Sequence, residues 1–239
     1  IDPPFATGAD FNFANQIGEN GLEVVKEQSL IEEKVYRDTW GKGIASYLQM
    51  MYDRLVLMRE LLSESGSIYI HLDWRVNSYV RLIMDEIFGK DYFQREIIWH
   101  PNNVSGFKGI AENWIRDHET ILYYTKSDKH VFNKMYEPYS EEYIKQTFVH
   151  KDEHGRYRWR YDRKQYLEDS KGVPICDVWD IHFLRQNAIE SVGFPTQKPE
   201  SLIKRIMKGS SDEGDLVADF FCGSGTTLAV ALYFFRRWI

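Results

Sequence analysis

Residues 215–232 read DLVADFFCGSGTTLAVAL, and three kinds of local structure follow one another within them. Asp215–Phe221 is short, apolar and aromatic enough for a strand. Gly223 and Gly225 then supply the φ freedom that a sharp turn needs. From Thr226 the chain becomes apolar and helix-forming. A strand, a glycine turn and a helix together bring a helix N-terminus, with its unpaired N–H groups, to the end of a parallel strand. Nucleotides and nucleosides bind in such places. The spacing excludes a P-loop, because no lysine follows Gly225. It also excludes the dinucleotide fingerprint, because Leu228 stands where a third glycine belongs. A positively charged or zwitterionic nucleoside fits better than a triphosphate. An ordinary tight strand-to-helix turn is the alternative for this stretch taken alone.

Upstream, the pattern is α/β. Leu48, Met51, Leu55, Met58 and Leu62 recur at helical spacing, and Val76, Val80, Ile83, Met84 and Ile87 do so again before Gly89. SIYIHL (67–72), EIIWH (96–100) and ETILYYTK (119–126) read as strands, the last two as a pair divided by a polar loop. Residues 6–40 read as loop and short helix. A helix is expected over Glu200–Lys208. Residues 127–185 lose aliphatic character and read as an inserted module between 1–126 and 186–239. Within the module, GRYRWRY (155–161) alternates, so that Arg156, Arg158 and Arg160 share one strand face and Tyr157, Trp159 and Tyr161 the other.

The chain opens on IDPPF. Pro3 and Pro4 fix φ and lack N–H groups, so the nearby carbonyls face outward with no adjacent donors. Asp2 adds a carboxylate acceptor and Phe5 an aromatic face. Stiff acceptors beside a stacking surface suit a planar ring bearing an exocyclic amine, whose developing positive charge they would stabilise. A proline-rich turn after a strand is the plainer alternative. Ile1–Pro4 also reads as a strand end, and FFRRWI (234–239) as a strand start, so the sequence is expected to be a piece truncated at both ends.

Composition narrows the classes. The 239 residues are 43% hydrophobic with a formal net charge of −6, which disfavours a non-specific nucleic-acid coat but leaves room for a local basic surface. No apolar run approaches ~18 residues, so no membrane span is expected. No basic n-region with an apolar h-region is seen, so no secretory signal is expected, and two lone cysteines make the cytoplasm the default location. Cys176 and Cys222 are far apart and outside any C-x-x-C, and Cys222 reads as a small packing residue. His100, His118, His150, His154 and His182 lack ligand spacing, so no metal site is expected. His71 and Asp73, after a strand, suggest loop ordering.

Taken together, DPPF (2–5), FCGSG (221–225), FPTQKP (194–199), GSIYIHLD (66–73) and EIIW (96–99) resemble the amino-group DNA methyltransferases that use S-adenosylmethionine (AdoMet). Catalytic motif first and cofactor motif last is the permuted order of their β group, which includes restriction–modification enzymes and type III modification subunits. The resemblance covers the chain except about 127–185. It implies a Rossmann-like α/β fold, mostly a parallel sheet with an antiparallel edge. It also implies that Asp2, Pro3, Pro4 and Phe5 hold and stack on a base flipped from the duplex. AdoMet would lie among Thr196, Lys198, Asp219, Phe221, Gly223, Ser224, Gly225 and Thr226. The inserted module takes the place of a target-recognition region, with Arg156, Arg158, Arg160, Arg163 and Lys164 against DNA. The aspartate at position 2 associates with N6-adenine more than N4-cytosine. A non-catalytic DNA-recognition subunit is a further alternative. The partners implied are DNA, a restriction subunit and a second copy in a homodimer. Relatives carry, beyond RRWI, an acidic residue for the cofactor ribose; without it, weak AdoMet binding is expected.

Overall fold

In a computed structural model of the chain, the described residues are 1–5, 13–17, 22–26, 43–103, 110 and 112–239. Most of the region expected as loop and short helix, and residues 104–109 and 111 of the polar loop before Glu119, lie outside them. Where residues 13–17 and 22–26 are described they pair instead, as antiparallel strands β1 (Phe13–Ile17) and β2 (Leu22–Lys26). The valines of LEVVK favour extended backbone, which the polar composition of 6–40 as a whole conceals.

Helix α1 (Ile44–Leu61) buries Tyr47, Met51, Leu55 and Met58, one stripe at helical spacing. Strand β3 (Ser67–Leu72) follows, then α2 (Asn77–Phe88), which buries Val80, Met84 and Phe88. Gly89 ends α2 at φ 96°, a conformation that a side chain would strain. Strands β4 (Phe93–His100) and β5 (Glu119–Thr125) come next. Then follow β6 (Tyr136–Glu137), α3 (Glu141–Thr147), β7 (His150–Asp152), β8 (Gly155–Arg160), β9 (Arg163–Tyr166) and β10 (Val173–Pro174). The chain continues with β11 (Val178–Asp180), α4 (Glu200–Ser210), β12 (Leu216–Val217), α5 (Thr226–Tyr233) and β13 (Arg237–Trp238).

Two compact units result. The first joins Ile1–Phe132 to Asp177–Ile239, and the second is Asn133–Cys176. In the first unit a mixed sheet runs β11-β4-β5-β3. β11 is parallel to β4, and β5 is antiparallel to both β4 and β3. Period-2 alternation turns Ile68, Ile70 and Leu72 to one face, where they join Leu122 and Tyr124 and the stripes of α1 and α2 in one core. Burying side chains of this size contributes about 1.5–3 kcal/mol each. Tyr69 and His71 therefore point to the opposite face, where Tyr69 stacks on Tyr123 at 4.4 Å and bonds the Ser210 hydroxyl of α4 at 2.6 Å.

The ladder does not stop at β3. The Ile1 N–H group donates to Tyr69 O at 2.8 Å, and the His71 N–H donates to Ile1 O at 3.0 Å. That alternation is the pattern of a parallel neighbour. β12 and β13 are also parallel, and hydrogen bonds from Arg237 to Asp215, Ile239 to Val217 and Asp219 to Ile239 carry their ladder up to the glycine turn. Met207 of α4 packs with Val230 and Ala231 of α5.

Candidate active site

The backbone pairing of Ile1 to β3 places Asp2 at the C-terminal end of that strand, with Pro3 buried behind it. Asp2 Oδ1 lies 2.7 Å from His71 Nδ1, and Asp2 Oδ2 accepts a hydrogen bond from Lys198 Nζ. His71 Nε2 in turn lies against the Glu119 carboxylate, at the start of β5. Four ionisable groups from four separate segments thus stand in a row, each against the next: Lys198, Asp2, His71, Glu119. Phe5 closes one side. Its ring meets His71 edge-on at 5.1 Å, and Lys198 Nζ is 5.7 Å from its centroid.

Burial works against the charge on Asp2, but Lys198 and His71 outweigh it and hold the carboxyl well below the usual carboxylate range. Burial likewise disfavours the imidazolium of His71, and the carboxylates of Asp2 and Glu119 overcome it, so the ring is raised above its ordinary value. Glu119 is lowered, because His71 and Lys198 outweigh its own burial. Burial, with Asp2 and Asp73 nearby, pushes the Tyr47 phenol upward and keeps it neutral.

The glycine turn is built from its own side chains. Gly223 and Gly225 sit at φ 50° and 80°, where other residues are strained. The Gly225 N–H closes the turn onto Cys222 O at 2.7 Å. The Asp219 carboxylate accepts from the Phe221 N–H at 3.1 Å and the Thr227 hydroxyl at 2.6 Å, which ties the strand end to the first turn of α5. Ser224 and Thr226 hydroxyls are 2.9 Å apart. A Cβ on Gly225 would meet nothing within 4 Å, whereas one on Gly223 would stand 3.5 Å from Phe194. The turn is thus open on one side, and its fixed carboxylate suits a cationic or zwitterionic nucleoside better than a phosphate.

TQKP joins the two loops. The Thr226 hydroxyl donates to Lys198 O at 3.4 Å, while Lys198 Nζ reaches Asp2 and also Thr196 O at 3.3 Å. Lys198 therefore touches both sequence-remote motifs, and its ammonium faces the Asp2 carboxylate. Phe221 and Ile1 both pack against the main core.

The second unit holds the basic hairpin of β8 and β9. Tyr157 stacks on His150 at 5.2 Å and packs on Tyr166 at 5.6 Å, forming a small aromatic core. Tyr157 and Trp159 share a face, their ring centroids 5.9 Å apart, but burial does not divide along the two faces. Trp159 is 54% exposed. Arg158 is half-buried, donating to Gln165 at 2.9 Å and to the Tyr143 hydroxyl at 2.7 Å, with Phe148 5.1 Å from its guanidinium. The packing of α3 on the hairpin draws that arginine inward. Lys164 is paired with Asp152 at 2.6 Å. Arg156, Arg160 and Arg163 are exposed and form no ion pair among the described residues. A groove of about 620 Å³ is lined by Gln146, Thr147, His150, Arg158, Trp159 and Arg160.

Two further expectations change. Cys222 is exposed, because the closed turn projects its side chain outward and not into packing. His71, expected to order a loop, is at the centre of the charged array, and its second partner Glu119 is a site residue that sequence reasoning misses. The signals are a histidine inside the apolar strand SIYIHL and a carboxylate at the mouth of ETILYYT. Asp73 does order a loop, accepting the Arg75 N–H at 2.9 Å.

The whole chain, residues 1–239, matches the family model N6_N4_Mtase, described as DNA methylase. It is 27% identical to the type II methyltransferase M.EcaI of Enterobacter cloacae, over 100% of this chain and 60% of that protein. It is 26% identical to the Mod subunit of the type III restriction-modification enzyme StyLTI of Salmonella typhimurium, over 95% of this chain and 45% of that protein. The crystal structure of an M1.HpyAVI-SAM complex shares the fold, with a TM-score of 0.52 at 22% identity over 79% of this chain and 73% of that one. The chain thus spans about half the length of the relatives it matches in sequence. With an α/β fold, a permuted pair of loops bridged by one lysine, and a family match along its whole length, this chain belongs to the N6/N4 DNA methylase family.

Proposed function

We propose that the chain forms the catalytic and cofactor-binding region of a DNA methyltransferase that acts on the exocyclic N6 of adenine within a restriction–modification system. The observation that carries this reading is the Asp2 carboxylate, held between Lys198 and His71 on a donor-free proline loop and bridged by Lys198 to the glycine turn. The solved M1.HpyAVI complex with SAM supports AdoMet as the guest of that turn, and the donor set fits, since an acidic, phosphate-averse loop accepts a zwitterionic nucleoside. Bound there, AdoMet supplies an electrophilic sulfonium methyl group. Phe221, Gly223, Ser224, Gly225 and Thr226 would line its pocket, with Asp219 and Thr196 supporting them.

Asp2 and the Pro3 carbonyl accept the two N–H groups of the target amine. Their negative ends stabilise the positive charge that develops as the nitrogen forms its new bond to carbon. That bond would form as the sulfonium carbon–sulfur bond broke, its electron pair staying on sulfur as a neutral thioether, and the nitrogen would then release one proton to solvent water. Phe5 stacks on the base, which must leave the duplex to reach this loop. In the second unit, Arg156, Arg160 and Arg163 suit phosphates, Trp159 and Tyr161 offer exposed rings, and the groove beside them suits a nucleic-acid strand. The Mod-subunit relative supports a restriction subunit as partner.

The test is incubation of the full-length protein with AdoMet and unmethylated DNA, followed by nucleoside mass spectrometry, with Asp2→Ala alongside. N6-methyladenine lost in the variant is the expected result. N4-methylcytosine would reassign the base. No methylated base on a sequence-diverse DNA library would overturn the enzymatic reading in favour of a recognition subunit.

A further inference from the structure

Methyl transfer at the Asp2 loop leaves His71 without a part. Its side chain is 6% exposed, and both of its nitrogens face carboxylates: Nδ1 faces Asp2 at 2.7 Å and Nε2 faces Glu119. The ring cannot turn away, because Phe5 meets its edge at 5.1 Å and Trp99 of β4 lies 5.4 Å off at 60°. A neutral imidazole carries one N–H and would aim a lone pair at one of the two carboxylates. Only the imidazolium sets no lone pair against a carboxylate; Nδ1 is hydrogen-bonded to Asp2, and Nε2 meets Glu119 as an ion-pair contact without hydrogen-bond geometry. The array Lys198–Asp2–His71–Glu119 is then neutral as a whole, two cations alternating with two anions.

An array of this kind is a poor device for stability alone, since charges removed from water cost more than well-packed apolar side chains in their place. It is a good device for fixing one carboxylate. Each oxygen of Asp2 has two lone pairs; His71 takes one on Oδ1 and Lys198 one on Oδ2. The remaining lone pairs lie in a plane that these two cations set.

We propose that His71, as an imidazolium bridging Asp2 and Glu119, is a positioning residue for methyl transfer, which keeps Asp2 ionised and turns a free lone pair toward the target amine. The inference rests on the reading of Asp2 as the amine acceptor. The groups facing His71 are Asp2 from the proline loop, Glu119 from β5 and Lys198 from the TQKP segment. Phe5 and Trp99 are uncharged, and the Tyr47 phenol near Asp2 is neutral. The raised imidazole and the lowered carboxyls agree with the bridge.

The test measures single-turnover methylation by the full-length protein, saturated with AdoMet and DNA, from about pH 5 to about pH 10, a range that brackets carboxylate and imidazole titration. His71→Asn keeps a donor toward Asp2 without the charge, and Glu119→Gln keeps the imidazole but removes its second anion. In His71→Asn the rate constant should fall about 10²-fold, as for removal of one preorganised electrostatic group. Its acid limb should also move up by about one pH unit, because Asp2 remains buried with only Lys198 to favour its charge. In Glu119→Gln the alkaline limb should move down, because His71 loses its proton more easily. The KM for AdoMet should change less than about twofold in both, as expected for an interaction that matters only to the chemical step.

Profiles that overlay the parent in both variants would overturn the proposal. Should a variant fail to fold, the ¹⁵N shifts of the His71 ring in the parent protein decide. Two protonated nitrogens at neutral pH support the bridge, and one bare nitrogen overturns it. Asp2→Ala separates the catalytic role of Asp2 from the positioning role of His71. Full activity in that variant removes the catalytic reading and the positioning role with it. Loss of activity beside unshifted His71→Asn and Glu119→Gln profiles removes the positioning role alone.

Discussion

Lys198 and Lys164 each hold an aspartate, in very different surroundings. Lys198 and Asp2 are 16% and 27% exposed in their side chains, and His71 and Glu119 extend the array into the sheet. Lys164 is 36% exposed, and around its pair with Asp152 stand Arg156, Arg160 and Arg163, which have no ion-pair partner among the described residues. In the first region every charge has an opposite neighbour and one arrangement. In the second, positive charge is left over and faces solvent. Charge withdrawn from water can fix a geometry to a fraction of an ångström, which chemistry at one atom needs. Charge left in water adjusts freely and is screened by salt, which suits contact with a polyanion.

Substitutions sharpen or break that contrast. The largest effect is expected at Asp2. Asp2→Ala should lower the single-turnover methylation rate by about 10³-fold, the upper end for a single electrostatic donor or acceptor at a reacting centre; a drop of less than about tenfold would break the contrast at its centre. Lys198→Met should cost about 2 kcal/mol of stability in urea unfolding, below the ~3–5 kcal/mol for breaking a buried pair, because Asp2 keeps His71 and both groups are part-exposed.

Gly225→Ala should cost about 1 kcal/mol, all of it backbone strain, because φ is 80° and the new Cβ meets nothing. AdoMet affinity, read by calorimetry, should fall with it. Arg160→Ala with Arg163→Ala should weaken DNA binding alike for all sequences. It should also reduce the log–log salt slope by roughly 0.9 for each phosphate that is no longer neutralised. Lys164→Ala should leave the unfolding midpoint unchanged, since exposed pairs add little.

The pH dependence of stability follows the same division. Asp2 and Glu119 are lowered in the folded chain, so their contribution is present above ordinary carboxylate values and is lost as pH falls through the folded ones. His71 is raised. Its contribution is complete below the unfolded imidazole value near 6.5 and is lost as pH rises through the folded value. Unfolding free energy measured against pH should therefore decline on the alkaline side of neutrality, and His71→Asn should flatten that decline.

The legible parts of the sequence are those governed by short-range rules. The stripes of α1 and α2, the alternation in SIYIHL and the spacing of Gly223 and Gly225 are fixed by residues a few positions apart, and each appears where periodicity and turn chemistry place it. The proline loop and the glycine turn can be paired because their residue types are unusual. What the sequence conceals is long-range. Nothing local tells His71 that residue 2 lies on one side and residue 119 on the other. The inward turn of Arg158 depends on Tyr143 and Phe148 of another element. The pairing of β1 with β2 is hidden by the polar residues around them.

One lysine has its main chain under the first turn of α5 and its ammonium on the carboxylate of the proline loop. A guest that draws the glycine turn closer must therefore either carry that ammonium along or loosen its hold on Asp2. Sites coupled through Lys198 would share a free energy, and by reciprocity whatever factor a cofactor imposed on the affinity for a flipped base, the base would return to the cofactor. Titrating AdoMet with and without DNA reads that factor directly. A ratio of one would mean that the sites are independent, and a different ratio that returns to one in Lys198→Met would make the lysine the residue through which each site senses whether the other is filled.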